Sequence, residues 1–307
     1  QLTYPDNSVL SRAYLPTGQL NTLTINDQVA DQTRTLATYE NYTASGSPQL
    51  IEHDNDITNS YSYDVSGGVA AQALKDGTNK VLASSSFARN HLYQVTGITG
   101  ITDTDGGDRD NSESYSYQDQ RLEQATSAAN SYGTLNYQYD AAGNITSKDG
   151  ISYQSTGHQL TSGTDANGAS VFSAKYDANG NMTSKTTLID GIQSLWAYSY
   201  DAENRLVNVT RNGTLASTYA YDHRGRRISK TATDGTQTLY PSHYYTVTLL
   251  PDKTERRTKY VFGPLGRMAA ITDRVGADGN AITGVPNSGT AYFHRNQVNS
   301  TRIVTDA

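Results

Sequence analysis

Two short segments concentrate side chains able to move protons or hold an anion, His243-Tyr244-Tyr245 and His294-Arg295. With a histidine or Tyr245 as general base and Arg295 stabilising a carboxylate, the set His243, Tyr245, His294 and Arg295 would suit a polysaccharide site. That chemistry needs the two segments side by side, which spacing alone does not establish. The plainer alternative is that both are sheet positions, where aromatic and long polar side chains pair across strands. Asp103, Asp105, Asp108 and Asp110 bring four carboxylates into eight residues, and oxygen-rich loops of this kind can bind Ca²⁺. Their spacing departs from an EF-hand and lacks its closing Glu, so a solvated loop is the alternative. Arg224, Arg226 and Arg227 set three cations around Gly225, a conceivable phosphate site. No nucleophile elbow, P-loop, zinc-protease or dinucleotide motif occurs. The sequence therefore points away from catalysis, and no cofactor or metal is expected.

The elements that would position these groups follow from composition and repeats. Hydrophobic residues are 35% of the 307-residue chain and the mean hydropathy is −0.63, poor for one thick core yet too aromatic for disorder. Tyrosine dominates, 23 against 4 Phe and 1 Trp. Its ring covers apolar surface while its hydroxyl stays bonded or wet, which suits a thin sheet. A net charge of −6, with scattered basic residues, gives no footprint for nucleic acid. The absence of cysteine excludes disulfides and thiolate chemistry. No apolar run approaches the roughly 20 residues of a membrane helix. The start at Gln1 shows no signal-like segment, and both ends read as cut from something longer.

One phrase recurs. Tyr139-Asp140-Ala141-Ala142-Gly143 is followed by Tyr176-Asp177-Ala178-Asn179-Gly180, Tyr200-Asp201-Ala202-Glu203-Asn204 and Tyr221-Asp222-His223-Arg224-Gly225. Asp accepts a hydrogen bond from the backbone two residues on, and Gly supplies the positive φ that closes a type I turn with a bulge. Asn204, in place of Gly, is the next most tolerant of that conformation. The pairs Asp149-Gly150, Asn167-Gly168, Asn212-Gly213 and Asp234-Gly235 read as two-residue hairpin loops alternating with these turns. From Trp196, a strand to Tyr200, a return from Arg205 to Thr210 and an advance from Leu215 to Tyr221 make an antiparallel meander. Tyrosines two apart, as at 137/139, 198/200 and 219/221, fall on one face of a strand. No sustained 3.6-residue period appears; even the Ala- and Ser-rich stretch 67–90 reads as degenerate strand.

These residues resemble the Rhs, or YD-repeat, family of bacterial polymorphic toxins, toxin-complex BC cocoons and teneurins. Tyr4-Pro5-Asp6-Asn7 and Arg12 to Leu20 are similar to the early form of its repeat. Lys259-Tyr260-Val261-Phe262-Gly263 and Arg267 to Ile271 resemble the lead-in to the Rhs-associated core, and Tyr292-Phe293-His294 with Ser300-Thr301-Arg302 its opening. Asn296-Gln297-Val298-Asn299 departs from the family's Asp-His-Leu-Gly, so no role of those residues carries over. The family often has Arg after the turn Gly, which makes Arg224, Arg226 and Arg227 wall positions.

The resemblance implies an all-β antiparallel sheet wound into a spiral, barrel-like hollow shell. Residues 1–135 would be degenerate repeats of its wall, 136–240 clear repeats, and 241–307 the lead-in to and opening of the core. The family's toxins enclose a C-terminal effector and cleave themselves at a downstream site. No Asp-Pro dipeptide of that kind occurs here. The expected function is a non-catalytic wall segment of a secreted or surface-delivered protein. Its partners would be its own C-terminal effector or neighbouring shell segments, with no nucleic acid and no membrane span. A carbohydrate-binding or polysaccharide-cleaving sheet and a surface adhesion or filament subunit are the alternatives; fold does not choose among them.

Overall fold

Residues 1–104, 107–127, 132–283, 288–295 and 301–306 are described by a computed structural model, with the side chains at 103, 104, 107, 108 and 302 set aside. Twenty-nine strands and no helix occur among them, and no helix is long and apolar enough to cross a membrane. The chain divides into two compact units, one of residues 1–114 with 241–307 and one of 115–240.

The first unit holds the core. Strands from Val9–Tyr14 to Val95–Thr104 pair in sequence as an antiparallel meander. The stretch 67–90 supplies Val69–Lys75 and Val81–Arg89 to it. A second run pairs Tyr245–Leu249, Glu255–Gly263, Gly266–Val275, Gly289–Arg295 and Thr301–Asp306. Alternation puts one face of each run inside: Leu10, Leu23, Ile25, Leu36 and Tyr39 from the first meet Val261, Ala269, Ile271 and Tyr292 from the second. Hydrogen bonds fasten the contact. Tyr4 Oη donates to the Tyr260 carbonyl at 3.0 Å and Asn55 Nδ2 to the Asp306 carbonyl at 2.7 Å.

The second unit is a meander in which each strand from Arg121–Ser127 onward pairs with the next, including Ile192–Tyr200, Leu206–Arg211 and Thr214–Tyr221. Its buried hydrophobic residues among those described are only Ala125, Ala174 and Val209. This is the thin, tyrosine-faced sheet that the composition calls for.

Two turn assignments need correction. Asp149-Gly150 and Asn212-Gly213 are two-residue loops with positive φ at both positions, 56° and 78°, and 50° and 80°. At 167–168 and 234–235 only Gly168 and Gly235 turn left-handed. The Gly168 amide closes onto the Asp165 carbonyl at 3.0 Å and the Gly235 amide onto the Ala232 carbonyl at 3.1 Å. Both are the longer turn that the Tyr-Asp phrase makes, so the two kinds do not strictly alternate.

Candidate functional site

The repeat phrase makes one structural unit wherever it is clear. At Asp177 the backbone amide donates to the Asn181 carbonyl at 2.9 Å, and the Gly180 amide donates back to the Asp177 carbonyl at 3.1 Å. The Asp177 carboxylate accepts from the amides of Asn179 at 3.0 Å and Asn181 at 2.9 Å, and from Asn181 Nδ2 at 2.9 Å. Gly180 sits at φ 87°, a conformation that a side chain strains. Asn204 takes it at 60° and its Oδ1 accepts from Asn179 Nδ2 at 3.0 Å and Asn181 Nδ2 at 2.8 Å, tying neighbouring turns. Asp201 and Asp222 grip the amides two and four residues on in the same way. These donors hold the turn carboxyls below their ordinary range. The Asn144 and Asn181 side chains act first at Asp140 and Asp177. The Arg205 and Arg226 amides act first at Asp201 and Asp222, bringing Asp222 to about 2. The same turn forms at Asp64, Asp76 and Asn90; sequence reading passed over Tyr63-Asp64-Val65-Ser66-Gly67 although it is the full phrase, and missed the other two because no tyrosine precedes them.

The tyrosine has its own task. Each register shifts at the tyrosine, as between Lys175 and Tyr176 or Ser199 and Tyr200. The phenol then donates to the carbonyl that opens the strand paired on its other side. Tyr139 reaches Leu122 at 2.9 Å, Tyr176 Leu160 at 2.9 Å, Tyr200 Met182 at 2.9 Å and Tyr221 Leu206 at 2.8 Å. Tyr63 does so to Pro48 at 2.7 Å, and Tyr42 to Leu20. Every such hairpin is latched at its open end by the tyrosine hydroxyl.

The first unit buries two polar clusters that sequence reading did not find. Lys259, with no exposed surface, points its Nζ at Asp273 at 2.6 Å, Asp27 at 2.9 Å and Asp6 at 3.1 Å. Desolvation pulls against its charge, but Asp273 and Asp27 outweigh that and raise its pKa. Burial pushes Asp273 up despite the lysine. The second cluster is a histidine pair, His53 and His294, with ring centroids 5.3 Å apart and edge-on. Asn59 Oδ1 lies 3.0 Å from His53 Nε2 and 2.8 Å from His294 Nδ1. A carbonyl oxygen only accepts, so both facing nitrogens carry hydrogen. His294 Nε2 is then left bare to accept from the Thr305 hydroxyl at 2.9 Å. His53 Nδ1 is buried with no partner. Desolvation first holds both rings neutral, lowering His53 to about 4 and, with His53 nearby, His294 to about 3.

The sequence-derived candidates occupy separate surroundings. His243 is exposed and stacks on Phe262 at 5.0 Å. Tyr245 is buried beside Tyr4, ring centroids 6.3 Å apart. His294 belongs to the histidine pair, and Arg295 Nε donates to the Arg267 carbonyl at 3.0 Å. No hydrogen bond or ring contact among the described residues joins His243 or Tyr245 to His294. Of the acidic run, Asp105 and the side chains of Asp103 and Asp108 lie outside the described residues; Asp110 accepts from the Ser112 amide at 2.8 Å. The three arginines do not converge. Arg224 meets His223 at 3.3 Å, Arg226 Nε meets Asp222 at 2.8 Å, and Arg227 lies over the Tyr240 ring at 4.5 Å. Asn296 to Asn299 of the core opening lie outside the described residues.

Against this geometry, the family model Teneurin YD-shell matches residues 32–246. No curated protein sequence matches the chain. Among solved structures the chain is similar to the TcdB2-TccC3-Cdc42 crystal structure, with a TM-score of 0.65 at 15% identity over 98% of this chain and 16% of that one. It is similar to TcdB2-TccC3 with a TM-score of 0.62 at 15% identity, over 98% and 17%. The Photorhabdus luminescens Tc holotoxin pore gives 0.60 at 15% identity, over 99% and 16%. At such identity the likeness is one of fold, and the chain spans about a sixth of the length of these proteins.

Proposed function

The chain belongs to the Teneurin YD-shell family, and we propose that it is non-catalytic wall of a shell that encloses or scaffolds an effector polypeptide carried C-terminally in the same natural protein. The observation that carries this reading is the repeated latch. Turn carboxylate, left-handed residue and tyrosine hydroxyl are all consumed in closing one hairpin onto the next, so each repeat adds wall and leaves no reactive group over. A continuous wall removes sheet edges that would recruit other strands and keeps an aggregation-prone passenger apart from them. Such a protein works outside the cell that makes it, secreted or at the surface. Its likeness in fold to toxin-complex chains supports this role.

The test is mass spectrometry of the full natural protein purified under native conditions and treated with protease. A C-terminal polypeptide that stays associated and resists digestion until the shell is denatured is the expected result. Rapid loss of that polypeptide with the wall intact would refute enclosure.

A further inference from the structure

Charge is segregated across residues 115–240. Every carboxylate of this stretch lies in a turn except Glu123. The strands instead carry cations, and register places most of them among the aromatic rings. Tyr137 pairs with Lys148, Trp196 with both Lys185 and Arg211, and Tyr219 with Lys230. Arg121 lies 5.8 Å from the Tyr139 ring and Arg227 5.6 Å from that of Tyr219. The reverse face, read from neighbouring pairs such as Ser184 with Ala197, Asn208 with Thr218 and Thr186 with Leu195, mixes hydroxyl, amide and alanine with the exposed Leu188, Leu195 and Leu215, and Lys175 is its strand cation. Lys148, Lys185 and Lys230 have no ion-pair partner among the described residues. In a chain of net charge −6, one sheet face thus holds six cations against one carboxylate.

We propose that this tyrosine-bearing face is the surface that contacts the passenger, and that it takes an extended, acidic stretch of polypeptide. The proposal rests on the enclosing role above. Cations carried on the strands Arg121–Ser127, Ile145–Lys148, Met182–Ile189, Leu206–Arg211 and Arg227–Ala232, separated by strands that carry none on this face, offer a carboxylate partner at intervals along a chain laid over the sheet. The half-buried rings between them give weak, sequence-tolerant apolar contact. The phenols of Tyr139, Tyr200 and Tyr221 are each tied to a carbonyl of the neighbouring strand, so those rings are held in place and not free to swing out as platforms on which nucleic-acid bases stack.

Zero-length carbodiimide cross-linking of the full natural protein, read by peptide mass spectrometry, tests this. Bridges from Lys148, Lys185 and Lys230 to Asp or Glu of the passenger, with Lys175 silent, are expected. Charge reversal as K148E/K185E/K230E should make the retained passenger severalfold more sensitive to added protease, and K175E should not. Bridges from Lys175 alone, or none from the three lysines while the passenger still co-purifies, would overturn this surface and leave enclosure standing. Nucleic acid or an anionic polysaccharide held at the three lysines instead would also overturn it. A native preparation with no passenger at all would remove both readings together.

Discussion

Protons at His53 and His294 have nowhere further to go. Asn59 already accepts from both rings, and a charge on His53 would put an N–H at a buried position without an acceptor. Their folded pKa values, about 4 and about 3, lie below the ordinary histidine value, so the unfolded chain binds more protons between the two. The contribution of the pair is fully present above about pH 6.5 and is lost as pH falls toward 4 and then 3. For His53 that amounts to ~3 kcal/mol at most. Urea denaturation at pH 7 and pH 4.5 should show this loss, and His294→Gln should lower stability at pH 7 while flattening the decline; equal midpoints at both pH values for the parent chain would contradict it. Lys259 works in the opposite sense, as a cation that three carboxylates need. Lys259→Met should cost about 3–5 kcal/mol by leaving those buried charges uncompensated, read as a lowered denaturation midpoint. A change below about 1 kcal/mol would show that the cluster carries no such charge.

At the level of the hairpin, turn and latch make separate contributions. Gly180→Ala forces a side chain into φ 87° and should cost about 1–2 kcal/mol, whereas Asn204→Gly relieves the backbone but removes two side-chain bonds to Asn179 and Asn181. Tyr200→Phe keeps the ring and strips the bond to Met182, an expected loss of about 1 kcal/mol. Thermal unfolding of the three variants would separate these, and a neutral Tyr200→Phe would sink the latch. The turns were legible in sequence because they are local: Asp, its two acceptor-facing amides and the left-handed residue lie within five positions. The misread pairs at 167–168 and 234–235 show the limit of that cue, since Asn-Gly and Asp-Gly fit either turn and the closing carbonyl decides. The latch was illegible, because alternation gives a tyrosine's face but not the carbonyl its hydroxyl will find across the hairpin. Lys259 and His294 were less legible still. Beyond Asp273 and Thr305 on adjacent strands, their partners Asp6, Asp27 and Asn59 lie more than 200 residues away, and Lys259 looks in sequence like any strand lysine.

Across the whole molecule, the same alternation serves different ends in the two units. In residues 1–114 with 241–307 it supplies a buried core. In 115–240 it leaves a sheet with few buried residues, whose stability rests on repeated latches and turns. A wall built in this way needs no thick interior, which reconciles low hydrophobic content with a well-ordered fold. The central proposal is that this chain is wall around a polypeptide. Cryo-electron microscopy of the full natural protein measures it most directly. A continuous wall with unassigned polypeptide density inside, lying against the tyrosine-bearing face of residues 115–240, is the predicted result; an open sheet with solvent on both faces and no enclosed density would contradict it.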